Sequence, residues 1–145
     1  MIDVRIQTEA FDIGEEMARV SGQGTGAIAS FTGIVRGGGG VTAIELEHYH
    51  AMTEASLRAL VEAATARWSL GGCTLIHRVG YMALGEAIVL VITAAPHRAE
   101  ALEACAFLID RLKTDAPFWK KEYRGEAAVW VEAKASDEAR ANSWE

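Results

Sequence analysis

Ile2, Val4 and Ile6 alternate with Asp3, Arg5 and Gln7, the period-two pattern of a half-buried strand. Asp12 followed by Glu15 is a capping-box arrangement and predicts a short helix to about Val20. Ser21 to Gly26 is a turn, and Ala27 to Arg36 reads as a strand with one interior glycine. Gly37 to Gly40 are four consecutive glycines, after which Ile44 and Leu46 alternate with Glu45 and Glu47. The glycines are therefore expected to join two strands. Thr53 can cap a helix to about Trp68, with Leu57, Leu60, Val61, Ala64 and Trp68 on one face. Cys73 to Met82 and Glu86 to Ala95 read as two more strands, with Leu84-Gly85 at the bend. Ala101, Cys105, Leu108 and Leu112 mark the face of a helix from about Arg98 to Lys113, which cannot continue through Pro117. Ala127 to Ala133 is expected as a last strand, and Ser136 to Glu145 as a polar tail that frays or forms a short helix.

The predicted order is strand, helix, two strands, helix, two strands, helix, strand. Short turns between paired strands favour antiparallel pairing, so the expected class is α+β rather than doubly wound α/β. A length of 145 residues favours one domain, 1–145. A net charge of -6 argues against broad binding to nucleic acid or to acidic membranes. It leaves room for a small anion held by a local basic cluster. No apolar run reaches the ~18 residues of a membrane span, and the N-terminus lacks the basic, apolar pattern of a signal peptide. The expected compartment is the cytoplasm. Cys73 and Cys105, the two cysteines, form neither a disulfide framework nor a zinc spacing. Neither has an adjacent cation, so both read as small buried hydrophobes.

Four places carry candidate chemistry. Arg36 ends the Phe31–Arg36 segment beside the glycines, where its guanidinium can bind phosphate or carboxylate. An ordinary exposed strand-end arginine would look the same. The glycines themselves are no phosphate loop, since no Lys-Ser/Thr ends them and no helix is expected after them. His48 and His50 share one face of a strand by spacing, but a metal site needs a further ligand and none is found. His97-Arg98 opens a helix, whose free N–H groups and dipole favour an anion. Both residues could equally be solvated. Lys113 and the segment Ala116 to Glu122 place Phe118 and Trp119 beside Lys120 and Lys121. Aromatic surface can desolvate a lysine and ready it for proton transfer, although most lysines are simply exposed.

Taken together and in order, these segments resemble the large, catalytic subunit of molybdopterin synthase. The stretches that carry the resemblance are SFTGIVR (30–36), LEHY (46–49), MTE (52–54), IHRVG (76–80), Gly85-Glu86, His97-Arg98, Asp110 to Lys113 leading into APFWKKE (116–122), and Trp130-Val131-Glu132. APFWKKE is the most specific. The resemblance implies a hammerhead-type α+β fold with about three helices and no cofactor. It implies a homodimer with a ubiquitin-like small subunit at each end, hence a heterotetramer. The small subunit ends in a Gly-Gly thiocarboxylate, and the substrate is cyclic pyranopterin monophosphate. Lys113 and Lys120 are implied as catalytic. Arg36, His97, Arg98 and Lys121 are implied in substrate binding, with Ile34, Val35 and Glu122 as pocket neighbours. The glycine run makes the loop after Arg36 shorter and plainer than this family's pattern. Rival readings are a non-enzymatic module that docks a ubiquitin-like partner or small anion, and an unrelated α+β phosphoesterase.

Overall fold

The computed structural model describes residues 1–116, 118–131 and 140–144. Its elements run β1 (Ile2–Gln7), α1 (Ile13–Val20), β2 (Ala27–Ile34), β3 (Ala43–His48), α2 (His50–Trp68), β4 (Gly72–Arg78), β5 (Gly80–Ala83), β6 (Ala87–Ala95), α3 (Arg98–Asp115), β7 (Phe118–Arg124) and β8 (Ala127–Val131). They form two four-stranded sheets, ordered β1-β4-β6-β2 and β5-β3-β7-β8. The class is α+β, as expected.

The first sheet is covered on both faces. Alternate residues of β6 go to opposite sides. Val89 and Val91 pack with Leu57, Val61, Ala104 and Leu108 from α2 and α3. Leu90 and Ile92 pack with Val20, Met17 and Phe11. This is why β4 is buried at every position. A strand covered on both faces reads as a continuous apolar run rather than an alternation. The second sheet turns one face to a smaller cluster of Val35, Val41, Ile44, Leu46, Val79 and Met82.

The second expected strand pair meets antiparallel, β4 with β6, but the hairpin expected across the glycines does not form. β2 pairs with β6 and β3 pairs with β5 and β7, so the glycine run carries the chain from one sheet to the other. Gly39 and Gly40 have φ of 59° and 85°, a region open to glycine at little cost. Arg124 Nε donates to Gly39 O at 2.8 Å and anchors the run to the end of β7. Likewise, the stretch Cys73 to Met82 is two strands, not one. The chain bends at Gly80, φ 86°, so β4 stays in the first sheet while β5 joins the second. One pairing, β1 with β4, is parallel.

The helices match their patterns with one change. Asp12 caps α1 by accepting from Glu15 N–H at 2.9 Å. The apolar faces of α2 and α3 are the expected ones, with Thr53, Ala104 and Phe107 added. However, α2 begins at His50, not after Thr53. Tyr49 is its N-cap residue and makes no side-chain cap. Thr53 lies buried in the first turn. β7 was not expected at all, and a turn at Gly125 (φ 65°) joins it to β8 as a hairpin. Of the two expectations for the tail, the short helix holds at residues 140–142, and this part is docked. Trp144 donates to Asp110 at 2.7 Å and packs edge-on against Trp68 and Phe107. The expected strand residues 132 and 133 lie outside the described residues. No helix among the described residues is long and apolar enough to cross a membrane.

Candidate functional site

β6 and α3 form an out-and-back unit that sorts the candidate residues into two groups. β6 ends at Ala95, paired with Ala27 at the start of β2. His97 follows as the N-cap residue of α3, and Arg98 is its first residue. Both are exposed. α3 then runs back along β2 and β6. Lys113, in its last turn, therefore returns to the end of the sheet where β2 finishes. At 1.5 Å per residue, Arg98 and Lys113 stand about 22 Å apart along the helix. Arg36 is at the Lys113 end, since Ile34 pairs with Ala87. Arg36 and Lys113 thus lie toward one end of the first sheet, and His97 and Arg98 toward the other.

The start of α3 is fixed by close backbone approach. Gly26 N–H donates to Ala95 O at 3.0 Å, and a Cβ on Gly26 would lie 2.1 Å from Pro96 O. At the other end, Ile34 is exposed and Val35 is buried in the small cluster. Val35 N–H donates to Glu86 O and its carbonyl accepts from Gly85 N–H, each at 2.9 Å. Arg36 follows, exposed. The Gly85-Glu86 turn is itself clamped. Buried Arg78 donates to Thr8 O at 3.1 and 2.9 Å, Ala87 O at 3.0 Å and Glu86 Oε1 at 3.2 Å. Glu86 Oε2 accepts from Ala83 N–H. Those two hydrogen bonds, with Ala83 N–H first, hold the Glu86 carboxyl below its ordinary range.

Lys120 and Lys121 point to opposite faces of β7. Lys120 opposes Leu46 and Lys121 opposes Glu45. Lys120 Nζ is 3.7 Å from Glu122, whose other oxygen pairs with Arg124 at 3.2 Å. Lys121 Nζ sits 4.7 Å from the centre of the Trp130 ring, a cation–π contact. Glu122 is thus the anion between two cations. Its face is that of Phe118 and Lys120 by the strand's period of two. An open cavity of about 330 Å³ is lined by Glu47, His48, Tyr49, Trp119 and Trp130 and includes none of the residues implied as catalytic or substrate-binding.

The expected histidine pair is divided. His48 ends β3 and His50 starts α2, with ring centres 5.7 Å apart. His50 pairs with Glu54 one turn on, at 3.1 Å. Among the described residues no cluster of three His, Cys, Asp or Glu is arranged to hold a metal. Cys73 and Cys105 are buried, and desolvation pushes their thiols up to about 12 and about 11. Such thiols carry almost no thiolate at neutral pH, so neither is an effective nucleophile.

In the sequence His77 stands only within IHRVG, with no role of its own. In the structure it is buried within β4. Its Nδ1 is 2.8 Å from Arg78 O, and its ring stacks on Phe118 at 4.0 Å and 21°. Burial, chiefly, and the positive charge of Lys113 together push its pKa down to about 4 against the opposing Arg78 hydrogen bond. The available signal was a histidine inside the otherwise apolar run of β4.

Comparison with known proteins agrees with this architecture. A family model described as MoaE protein matches residues 6–115. A molybdopterin synthase catalytic subunit of Ralstonia nicotianae is 46% identical over 149 residues, covering 99% of this chain and 85% of that protein. One from Mesorhizobium japonicum is 48% identical over 147 residues, covering 97% and 92%. The solved structure of a molybdopterin biosynthesis MoaE protein from Burkholderia ambifaria superposes with a TM-score of 0.86 at 41% identity, covering 99% of this chain and 98% of that one. Molybdopterin synthase from Staphylococcus aureus superposes at 0.82 with 28% identity, covering 88% and 95%. The chain belongs to the MoaE family, that of the molybdopterin synthase catalytic subunits.

Proposed function

We propose that this chain is the sulfur-transferring subunit of a molybdopterin synthase. It takes sulfur from the thiocarboxylated Gly-Gly end of a ubiquitin-like small subunit and delivers it to cyclic pyranopterin monophosphate, forming the dithiolene. Family membership over nearly the whole chain carries the reading. The buried, poorly ionised cysteines support it, because a synthase whose sulfur arrives on a partner needs no thiolate of its own. Two unpaired cysteines also suit a reducing compartment, and we assign the protein to the cytoplasm.

Within this reading Lys113 moves the proton, with Lys120 as its electrostatic neighbour. Arg36, His97 and Arg98 hold the phosphate and the developing oxyanion. Lys121 and Glu122 flank the substrate, and Ile34 and Val35 set the wall before Arg36. The separation of about 22 Å between Arg98 and Lys113 means that one pocket uses both only if two copies contribute. We therefore assign a homodimer in which one copy's His97-Arg98 faces the other's Lys113 and Lys120, with a small subunit at each end.

The direct test mixes the protein with thiocarboxylated small subunit and the pterin precursor and assays for dithiolene. Absence of product from folded, partner-bound protein refutes the reading. Retained tail binding without sulfur transfer would favour the docking module instead. For the shared site, inactive Arg98→Ala and Lys113→Ala chains are mixed and allowed to exchange subunits. Partial recovery of activity is expected, and no recovery in a demonstrated mixed dimer refutes the two-copy site.

A further inference from the structure

We infer that His77, acting through Phe118, is the positioning residue that sets Lys113 and Lys120 relative to each other. This rests on the sulfur-transfer reading above. Phe118 lies between the two lysines in sequence, after the end of α3 and at the first position of β7. Lys113 is carried by a helix of the first sheet's layer, whereas Lys120 is carried by the second sheet. Something must fix one layer against the other at this point, and Phe118 is placed to do so. It packs against both the main core and the small cluster. Its N–H closes the helix-to-strand turn on Ala116 O at 2.9 Å.

The ring beneath Phe118 is His77, and His77 is held on every side. It sits in β4 between Ile6 of β1 and Val89 of β6. Its Nδ1 donates to Arg78 O at 2.8 Å, which fixes the ring's orientation. A stack at 4.0 Å and 21° then fixes where Phe118 lies. His48, the register partner of Phe118 in β3, extends the row, with its ring centre 6.1 Å from that of Phe118. The His48 Nε2 atom is buried without a hydrogen-bond partner among the described residues.

The row also stays uncharged near neutral pH. The groups that act on His77 are Lys113 from α3, His48 from β3 and the Arg78 carbonyl of its own strand, while its neighbours Ile6, Val89 and Phe118 carry no charge. Burial first, and then the charge of Lys113, keep its imidazole neutral. Burial first, and then His50, lower the pKa of His48. A neutral, rigid floor can set the spacing of two ammonium groups without adding a third charge to the site.

Two substitutions separate the stack from the hydrogen bond. His77→Gln keeps an N–H for the Arg78 carbonyl but removes the ring. His77→Phe keeps the ring but removes the donor. If the stack positions the lysines, His77→Gln lowers kcat of dithiolene formation about 10–100-fold, the scale of a misplacement near 1 Å. KM changes little, and the limb of the pH–rate profile owed to the lysines shifts. His77→Phe restores most of the rate. The inference is overturned if folded His77→Gln has wild-type kcat and pH profile, or if His77→Phe is the more damaged of the two. A second readout stands apart from activity: titration of Lys113 and Lys120 by NMR in protein labelled at lysine Cε. Their titration curves move in His77→Gln, and unchanged curves overturn the inference. Failure of the wild-type protein to form dithiolene counts against the functional reading, and the NMR comparison then still decides the positioning role.

Discussion

Acidification tests the physical state of His77 independently of any activity. An ordinary histidine titrates at 6.5, and His77 in the folded protein at about 4. Between these values the unfolded chain binds a proton there that the folded chain refuses, so unfolding is favoured as pH falls. The sign follows: a base whose pKa is depressed by folding contributes full stability above 6.5, loses it progressively below, and has no further effect under about 4. Two units of this window, from 6.5 to 4.5, at about 1.4 kcal/mol each give a loss of roughly 2–3 kcal/mol. The assay is urea unfolding of wild type and His77→Phe at pH 7.5, 6.5, 5.5 and 4.5. Carboxylates and His48 are present in both proteins, so the difference between the two isolates His77 together with its coupling to His48. His77→Phe lacks the bond to Arg78 O and starts less stable at pH 7.5, yet its stability falls less steeply with acid. Parallel pH dependences in the two proteins refute the reasoning and mean that His77 is solvated or paired when protonated.

The other predictions concern the lysine, the cysteines and one glycine. Lys113→Ala lowers the rate of dithiolene formation by about 10²–10⁴-fold with little change in melting temperature. Lys113→Arg fails too, because arginine keeps the charge but holds its proton, and a near-normal rate for that variant would move proton transfer to Lys120. Cys73→Ser with Cys105→Ser keeps most sulfur transfer while losing stability through two buried hydroxyls. A folded but inactive double variant would reassign the sulfur chemistry. Gly26→Ala must push Pro96 away from a 2.1 Å contact, and about 1–3 kcal/mol of stability is expected to go with it. Denaturant midpoints check this, and an unchanged midpoint would mean that the start of α3 yields freely.

The amino-acid sequence by itself determined the elements whose neighbours are local. The Asp12 cap, the apolar faces of α2 and α3, and the strands β1, β2 and β6 follow from capping, period 3.6 and period 2. The resemblance carried by APFWKKE and its companion segments identified the family. Local patterns could not say which strands pair. Gly37 to Gly40 look like a hairpin turn, yet their strands lie in different sheets, because the burial of β2 against α3 and of β3 against Met82 decides the partner. β7 was hidden for a related reason. Its charges fall on both faces, so its alternation is not one of polarity, and only pairing with β3 and β8 makes it a strand. The same limit governs the site. Arg36, His97, Arg98, Lys113 and Lys120 were legible as residue types in motifs. The return of α3 along β6 set Lys113 at the same end of the first sheet as Arg36 and left His97-Arg98 a helix length away, and the packing of two sheets around Phe118 gave His77 its place. These are long-range contacts between segments dozens of residues apart, and no periodicity along the chain encodes them.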